Sequence, residues 1–209
     1  MFTAPYFSAM ECLRNGQMAI YCSSELTSGL KLYSVMEGEA VGSLKDLKGK
    51  RGDEWCDKNI FNVNKDEANR FAASVREGRK DSVPVITPAP FDVRGWDQAE
   101  YLAFWEELIR TRVAAVHFRD KWEYSNGCTF EYAVALDAKI DRFDQQGRRL
   151  EADKAISCVR NAIDEIAKMK GNFDTAKLKK HLGWIEASGG PVVTTTKIPT
   201  PTPKSKITV

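Results

Sequence analysis

The residues best suited to do chemistry lie in one run. The apolar hexad Val113-Ala114-Ala115-Val116-His117-Phe118 gives way to a polar turn and then to a helical pattern. The spacing predicts a buried strand, a loop over Arg119 to Asn126 and a helix from about Gly127 to Ile140. Ser125, Gly127 and Glu131 then fall at the turn and in the first turns of that helix. In an open parallel sheet, such a turn lies beyond the carboxyl end of a strand, where ligands bind. A helix N-terminus there offers backbone N–H groups and positive potential, which suit a phosphate and steady an ionised carboxylate. Gly127 lets a ligand approach the backbone closely, and Ser125 adds a donor without charge. A carboxylate at Glu131, kept ionised and facing such a cleft, can attack a sugar carbon as its base departs. The same residues also read as plain helix capping: a Ser, then an early Glu that complements the dipole.

The elements that must position this run are legible upstream and downstream. A first strand is expected at Met18 to Cys22, followed by the small polar end Ser23-Ser24-Glu25. Glu37 to Asn59, with Gly38, Gly42, Gly49 and Gly52, reads as a long loop or lid. Ala68, Phe71, Ala72 and Val75 mark an amphipathic helix from Lys65 to Gly78. Val83-Pro84-Val85-Ile86 reads as a buried strand broken by Pro88 and Pro90. A helix follows from about Asp97 to Thr111, with Asp97 as its N-cap and Tyr101, Leu102, Trp105, Leu108 and Ile109 on one face. Strands alternating with helices at this spacing predict an α/β fold, a Rossmann-like or flavodoxin-like parallel sheet flanked by helices.

Additional C-terminal helices are expected over Asp153 to Lys170 and Thr175 to Glu186. Ile156, Val159, Ile163 and Ile166 form a stripe that could pack on the sheet or on a second subunit. One domain over 1–188 is expected, with its core at about 18–140 and its C-terminal helices at 153–187. A flexible Thr/Pro/Lys tail is expected at 189–209.

Composition narrows the function classes. The chain has 209 residues, 43% hydrophobic and 29% charged, which suits one core. Its formal charge is +2, and the tail holds Lys197, Lys204 and Lys206 with no acid. Removing those three charges from +2 leaves the body at −1, which argues against long nucleic acid or anionic membrane as a partner. No run of 18 apolar residues occurs, and the N-terminus lacks the basic start and apolar run of a secretion signal. Five scattered cysteines, no Cys-x-x-Cys and histidines only at 117 and 181 argue against zinc and disulfides and for a cytoplasmic setting. No Gly-x-Gly-x-x-Gly follows the first strand and no Gly-x-Ser-x-Gly occurs, so no nicotinamide site or serine-hydrolase elbow is expected. Neither a metal nor a cofactor is expected.

The Ser125, Gly127, Glu131 spacing, with Ala133 and Ala135 continuing a small-residue helix, resembles the signature of the nucleoside 2-deoxyribosyltransferase-like superfamily. That group includes 2'-deoxynucleoside 5'-phosphate N-hydrolases and CMP N-glycosidases. Trp122 before Ser125 resembles a Trp-x-x-Ser-x-Gly variant of the pattern. Ala19-Ile20-Tyr21-Cys22-Ser23 resembles the family's first strand, which ends at the ligand, and Asp97 matches the position of its second carboxylate. The resemblance spans roughly Met18 to Ile140.

It implies a double displacement in which Glu131 attacks C1' and water or an incoming base resolves the glycosyl-enzyme. Asp97 or Asp120 would protonate the departing base or hold the sugar, and either also reads as a cap or turn acid. Tyr21, Ser23, Trp122, Ser125 and Gly127 would bind substrate; Trp122 and Tyr124 could stack on a base or fill core. Ser125, where the transferases carry an acid, favours a nucleoside 5'-monophosphate, with Arg94, Arg119 and Lys121 as possible counter-charges. The resemblance also implies a homo-oligomer whose neighbour completes the site. The alternatives are a nucleotide-binding sensor without turnover, and an interaction module that uses its basic tail.

Overall fold

The computed structural model describes residues 15–91 and 93–189. The expected tail, apart from Gly189, and Cys12 lie outside the described residues. Four strands form one sheet: β1 (Ala19–Ser23), β2 (Val85–Ile86), β3 (Val113–Phe118) and β4 (Asp141–Phe143). All pairings are parallel and the order is β2-β1-β3-β4. The chain is therefore α/β with a parallel sheet of the Rossmann/flavodoxin-like kind. The order places a topological switch between β1 and β3, so a crevice is expected beyond their carboxyl ends.

The two faces of the sheet are covered unequally. Phe71 and Ala72 of α4 (Asn62–Glu77) pack with Ile20, Cys22, Val85 and Ala115. The opposite face, with Ala19, Tyr21, Val116 and Phe118, belongs to the larger core. There lie α5 (Gln98–Arg112), α6 (Asn126–Asp137), α7 (Ala152–Lys168) and α8 (Ala176–Ser188). In β3 the register slips between Ala19 and Ile20, so that Val113 pairs with Ala19 and Ala115 with Ile20. The bulged residue, Ala114, is exposed. The slip lets Val113 and Val116, three apart, serve the same face.

Glu37 to Asn59, expected as a loop, is mostly helical. It runs from the end of α1 (Leu30–Gly38) through α2 (Leu44–Arg51) and α3 (Asp53–Cys56) into a π-turn at Asp57–Phe61. Its glycines largely punctuate these pieces: Gly38 closes α1, and Gly52, at φ 88, separates α2 from α3. Ser43 caps α2 by accepting from Asp46 N. Leu47, Cys56 and Ile60 anchor the excursion to the core. The Tyr33 ring of α1 meets Phe173 at 5.3 Å, and Lys170 N donates to Glu37.

The apolar stripe of α7 is spent within the chain. Ala155, Val159, Ala162, Ile163 and Ile166 are buried in the same core as Leu178 and Ile185 of α8. Each of the Val, Ile and Leu side chains among them contributes roughly 2 kcal/mol by leaving water. The expectation that this stripe could face a second subunit is thereby corrected. Strand β4 is the element the sequence concealed. Asp141-Arg142-Phe143 lacks apolar alternation and is held by pairing with β3. No described helix is long and apolar enough to cross a membrane.

Candidate functional site

The site is built where β1 ends beside the first turns of α6. Ser23 closes β1 opposite Phe118, and Arg119 N donates to Ser23 O at 3.0 Å, locking the two strand ends together. Period-two alternation sends Tyr21 and Ser23 to the same face, toward α6. Both donate to Glu131: Tyr21 Oη to Oε1 at 2.7 Å and Ser23 Oγ to Oε2 at 2.5 Å. Sequence distances of 110 and 108 residues are closed by these two bonds.

Glu131 is only 6% exposed. Burial pushes its carboxyl up to about 7, against the lowering effect of the Ser23 and Tyr21 donors. Burial thus works against the ionised form that the helix N-terminus was expected to favour. Burial and the adjacent Glu131 charge raise the Tyr21 hydroxyl well above its ordinary value, so it stays protonated and remains a donor. The Cys128 thiol, one turn earlier on α6, is raised by burial first and then by the charge of Glu131. It is an inert thiol, not a nucleophile.

The α6 N-terminus is organised by hydroxyls. Ser125 is the N-cap and accepts from Cys128 N at 3.4 Å. Asn126 N donates to Ser28 Oγ at 3.0 Å, and Ser28 Oγ lies 3.3 Å from Ser125 Oγ. Two of the N–H groups expected to await a phosphate thus already carry protein hydroxyls. A Cβ added to Gly127 would approach only Ser125 Oγ, at 3.8 Å, so this position is roomy, as close ligand approach requires. Behind the helix, Thr129 Oγ1 bonds His181 Nδ1 at 3.0 Å. Burial lowers His181 to about 4, keeping it neutral.

The remaining expected residues are dispersed. Asp97 is exposed and caps α5, accepting from Ala99 N and Glu100 N while Asp97 N donates to Glu100 Oε2. Asp120 is exposed; its N–H donates to Gln145 at 2.9 Å and its carboxylate faces Gln146 at 3.5 Å. Trp122 requires correction. Its ring is 5% exposed, stacked on Tyr132 at 5.0 Å and tilted on Phe118, which leaves no face for a base. Tyr124 is buried and donates to Glu165. Arg94 is exposed. Arg119 pairs with Glu67 at 2.7 Å and lies 4.0 Å from Glu25.

A cleft of about 550 Å³ opens at the switch point. Its walls include Glu25, Lys31, Glu67, Arg119, Asp120 and Lys121. In the sequence Glu25 reads only as the polar end of a strand. Its signal was an acid two residues past the strand end, in a turn that must bend over the sheet. Among the described residues no group of three His, Cys, Asp or Glu side chains could hold a metal.

Fold and site together define a class: an open parallel α/β domain with a buried, doubly donated carboxylate at its switch point. No protein-family model, no curated protein and no solved structure matches the chain.

Proposed function

We propose that this protein cleaves or exchanges the N-glycosidic bond of a nucleoside or nucleoside 5'-monophosphate through a covalent glycosyl-enzyme on Glu131. The observation that supports the reading is the buried Glu131 carboxylate, held against the carboxyl-terminal half of β1 with one donor on each oxygen. Two donors orient the carboxylate and stabilise its charge as an oxocarbenium-like centre develops opposite it. Tyr21 and Ser23, on a rigid central strand, serve as positioning groups, and Gly127 gives the sugar room. The Ser28 hydroxyl on Asn126 N marks where a phosphate or sugar oxygen exchanges for a protein hydroxyl. Assembly with a second copy that completes the site belongs to the same reading, and a monomer by light scattering would remove it.

The direct test is incubation with a panel of ribo- and deoxyribonucleosides and their 5'-monophosphates, reading free base by chromatography. Base release that vanishes in Glu131→Gln, with a sugar-mass adduct on Glu131 in the wild type, is the expected result. Equal release by both proteins would sink the proposal. A second reading, a nucleotide-binding sensor without turnover, is favoured by one observation. Glu131 is 6% exposed and does not line the 550 Å³ cleft. Tight binding of a nucleotide with no base release and no adduct would select it.

A further inference from the structure

The turn from Ser24 to Gly29 carries a second buried acid. Glu25 is 7% exposed and lines the cleft, and its Oε2 has no hydrogen-bond partner among the described residues. The neighbouring Ser24 Oγ is likewise buried and unpartnered. Elsewhere the carboxyl is anchored: the Leu30 N–H at the start of α1 bonds it, and Arg119 lies 4.0 Å away. A buried polar atom left without a partner costs roughly 1–3 kcal/mol. That oxygen lies against Gly29 while the residue itself lines the cleft, and a buried acid so placed calls for a chemical role.

The placement relates it to Glu131. Ser23, which holds Glu131 Oε2, is two residues before Glu25, and their Cα atoms lie within about 7 Å of each other by chain length alone. Ser28, in the same turn, accepts from Asn126 N, the first residue of α6, which ties this turn to the Glu131 helix. The Cys128 thiol also feels the charges of both acids, Glu131 the more strongly.

We propose that Glu25 is the acid–base residue of this site, donating its proton to the departing nucleobase held in the cleft. The assignment rests on the glycosidic-bond reading above. In the first step, a Glu131 oxygen forms a bond to C1' as the C1'–N bond breaks. The bonding pair leaves with the base, and the Glu25 proton neutralises it. In the second step, water attacks C1', the C1'–O pair returns to Glu131, and the water proton passes to Glu25. Burial, partly offset by Arg119, holds Glu25 up at about 7, where a carboxyl can both give and take a proton near neutral pH. Neither Asp97, committed to its own helix cap, nor the exposed Asp120 has such surroundings.

The experiment compares wild type, Glu25→Gln and Glu131→Gln on two leaving groups. One is a natural base, from the nucleoside or nucleotide panel. The other is 4-nitrophenolate, from the nitrophenyl riboside and deoxyriboside, which needs no proton to leave. Glu25→Gln keeps an oxygen to accept the Leu30 N–H. It should lower base release by ~10²-fold or more while nitrophenolate release stays within about threefold. Glu25→Ala, checked for folding by circular dichroism, should regain part of its base release with added formate. Equal loss on both leaving groups, no loss on either, or no formate rescue in folded Glu25→Ala would overturn the assignment. If Glu131→Gln retains both releases, or wild type shows neither, the glycosidic-bond reading itself fails and the assignment falls with it.

Discussion

Two neighbouring regions at the end of β1 treat a buried carboxyl in opposite ways. On the α6 side, both oxygens of Glu131 are occupied by hydroxyl donors from a central strand. On the α1 side, Glu25 leaves one oxygen unpartnered, beside an equally unpartnered Ser24. Both acids are pushed up to about 7 by burial. The difference is in what opposes it: two fixed hydrogen bonds for Glu131, chiefly the charge of Arg119 for Glu25. In the proposed two-step displacement the pre-oriented acid attacks and the under-satisfied one exchanges protons.

The largest effect that sharpens this contrast belongs to Glu131→Gln. Base release should fall ~10³-fold or more, while stability changes the other way with pH. A carboxyl raised from 4.5 to about 7 contributes stability that is fully present below 4.5 and lost as pH rises through 7. The variant should therefore match wild type near pH 4 and exceed it at pH 8 by about 3 kcal/mol. Urea denaturation at the two pH values measures this, and a variant less stable at pH 8 would contradict the buried-acid account.

Gly29→Ala probes the other region. Gly29 has φ 142, and an added Cβ would stand 1.8 Å from Glu25 Oε2. The strained backbone alone should cost about 1–3 kcal/mol, with the clash added. Glu25→Ala in the same chain removes the carboxyl clash but leaves the Cβ of residue 25 at 2.9 Å and the φ strain, so the double variant should recover part of the loss. Additive losses in a double-mutant cycle would show that Glu25 does not lie against this glycine.

Tyr21→Phe keeps the ring against Trp105, at 5.5 Å, and deletes only the donor to Glu131. Losing that donor raises the Glu131 carboxyl further. The ascending limb of the kcat/KM profile, expected near pH 7, should move to higher pH with a ~10-fold fall at neutral pH. An unmoved limb would detach Tyr21 from the chemistry. Ser28→Ala has the smallest expected effect, roughly 1 kcal/mol of stability from the lost bond to Asn126 N. A phosphate added to this variant should restore more stability than it adds to wild type, because it can take the vacated N–H.

Much of the frame was legible in the residues. The run Val113 to Phe118 is a strand with the expected bounds because its apolar residues, Ala114 apart, are buried against the helices on either side of the sheet. Helices α5 to α8 lie within a few residues of their expected ends, since caps such as Asp97 and Ser125 act locally. The stretch 37–59 was not legible. Its helices are short, α2 buries only Leu47, and its glycines punctuate helical pieces instead of marking a loop. One buried residue per helix is too sparse to make a periodic signal. β4 was hidden because three residues without alternation form a strand only against a ready neighbour.

By itself the sequence determined the alternation of strands and helices and placed Glu131 and Ser125 at one helix mouth, because periodicity and capping are local properties of the chain. Tertiary structure alone decided which acids share surroundings and which are merely caps. It brought Tyr21 and Ser23 to Glu131 across more than a hundred residues, set Glu25 on the cleft wall and withdrew Trp122 into the core. Burial and hydrogen-bond satisfaction depend on neighbours distant in sequence, and those two quantities set the proton affinity of a carboxyl.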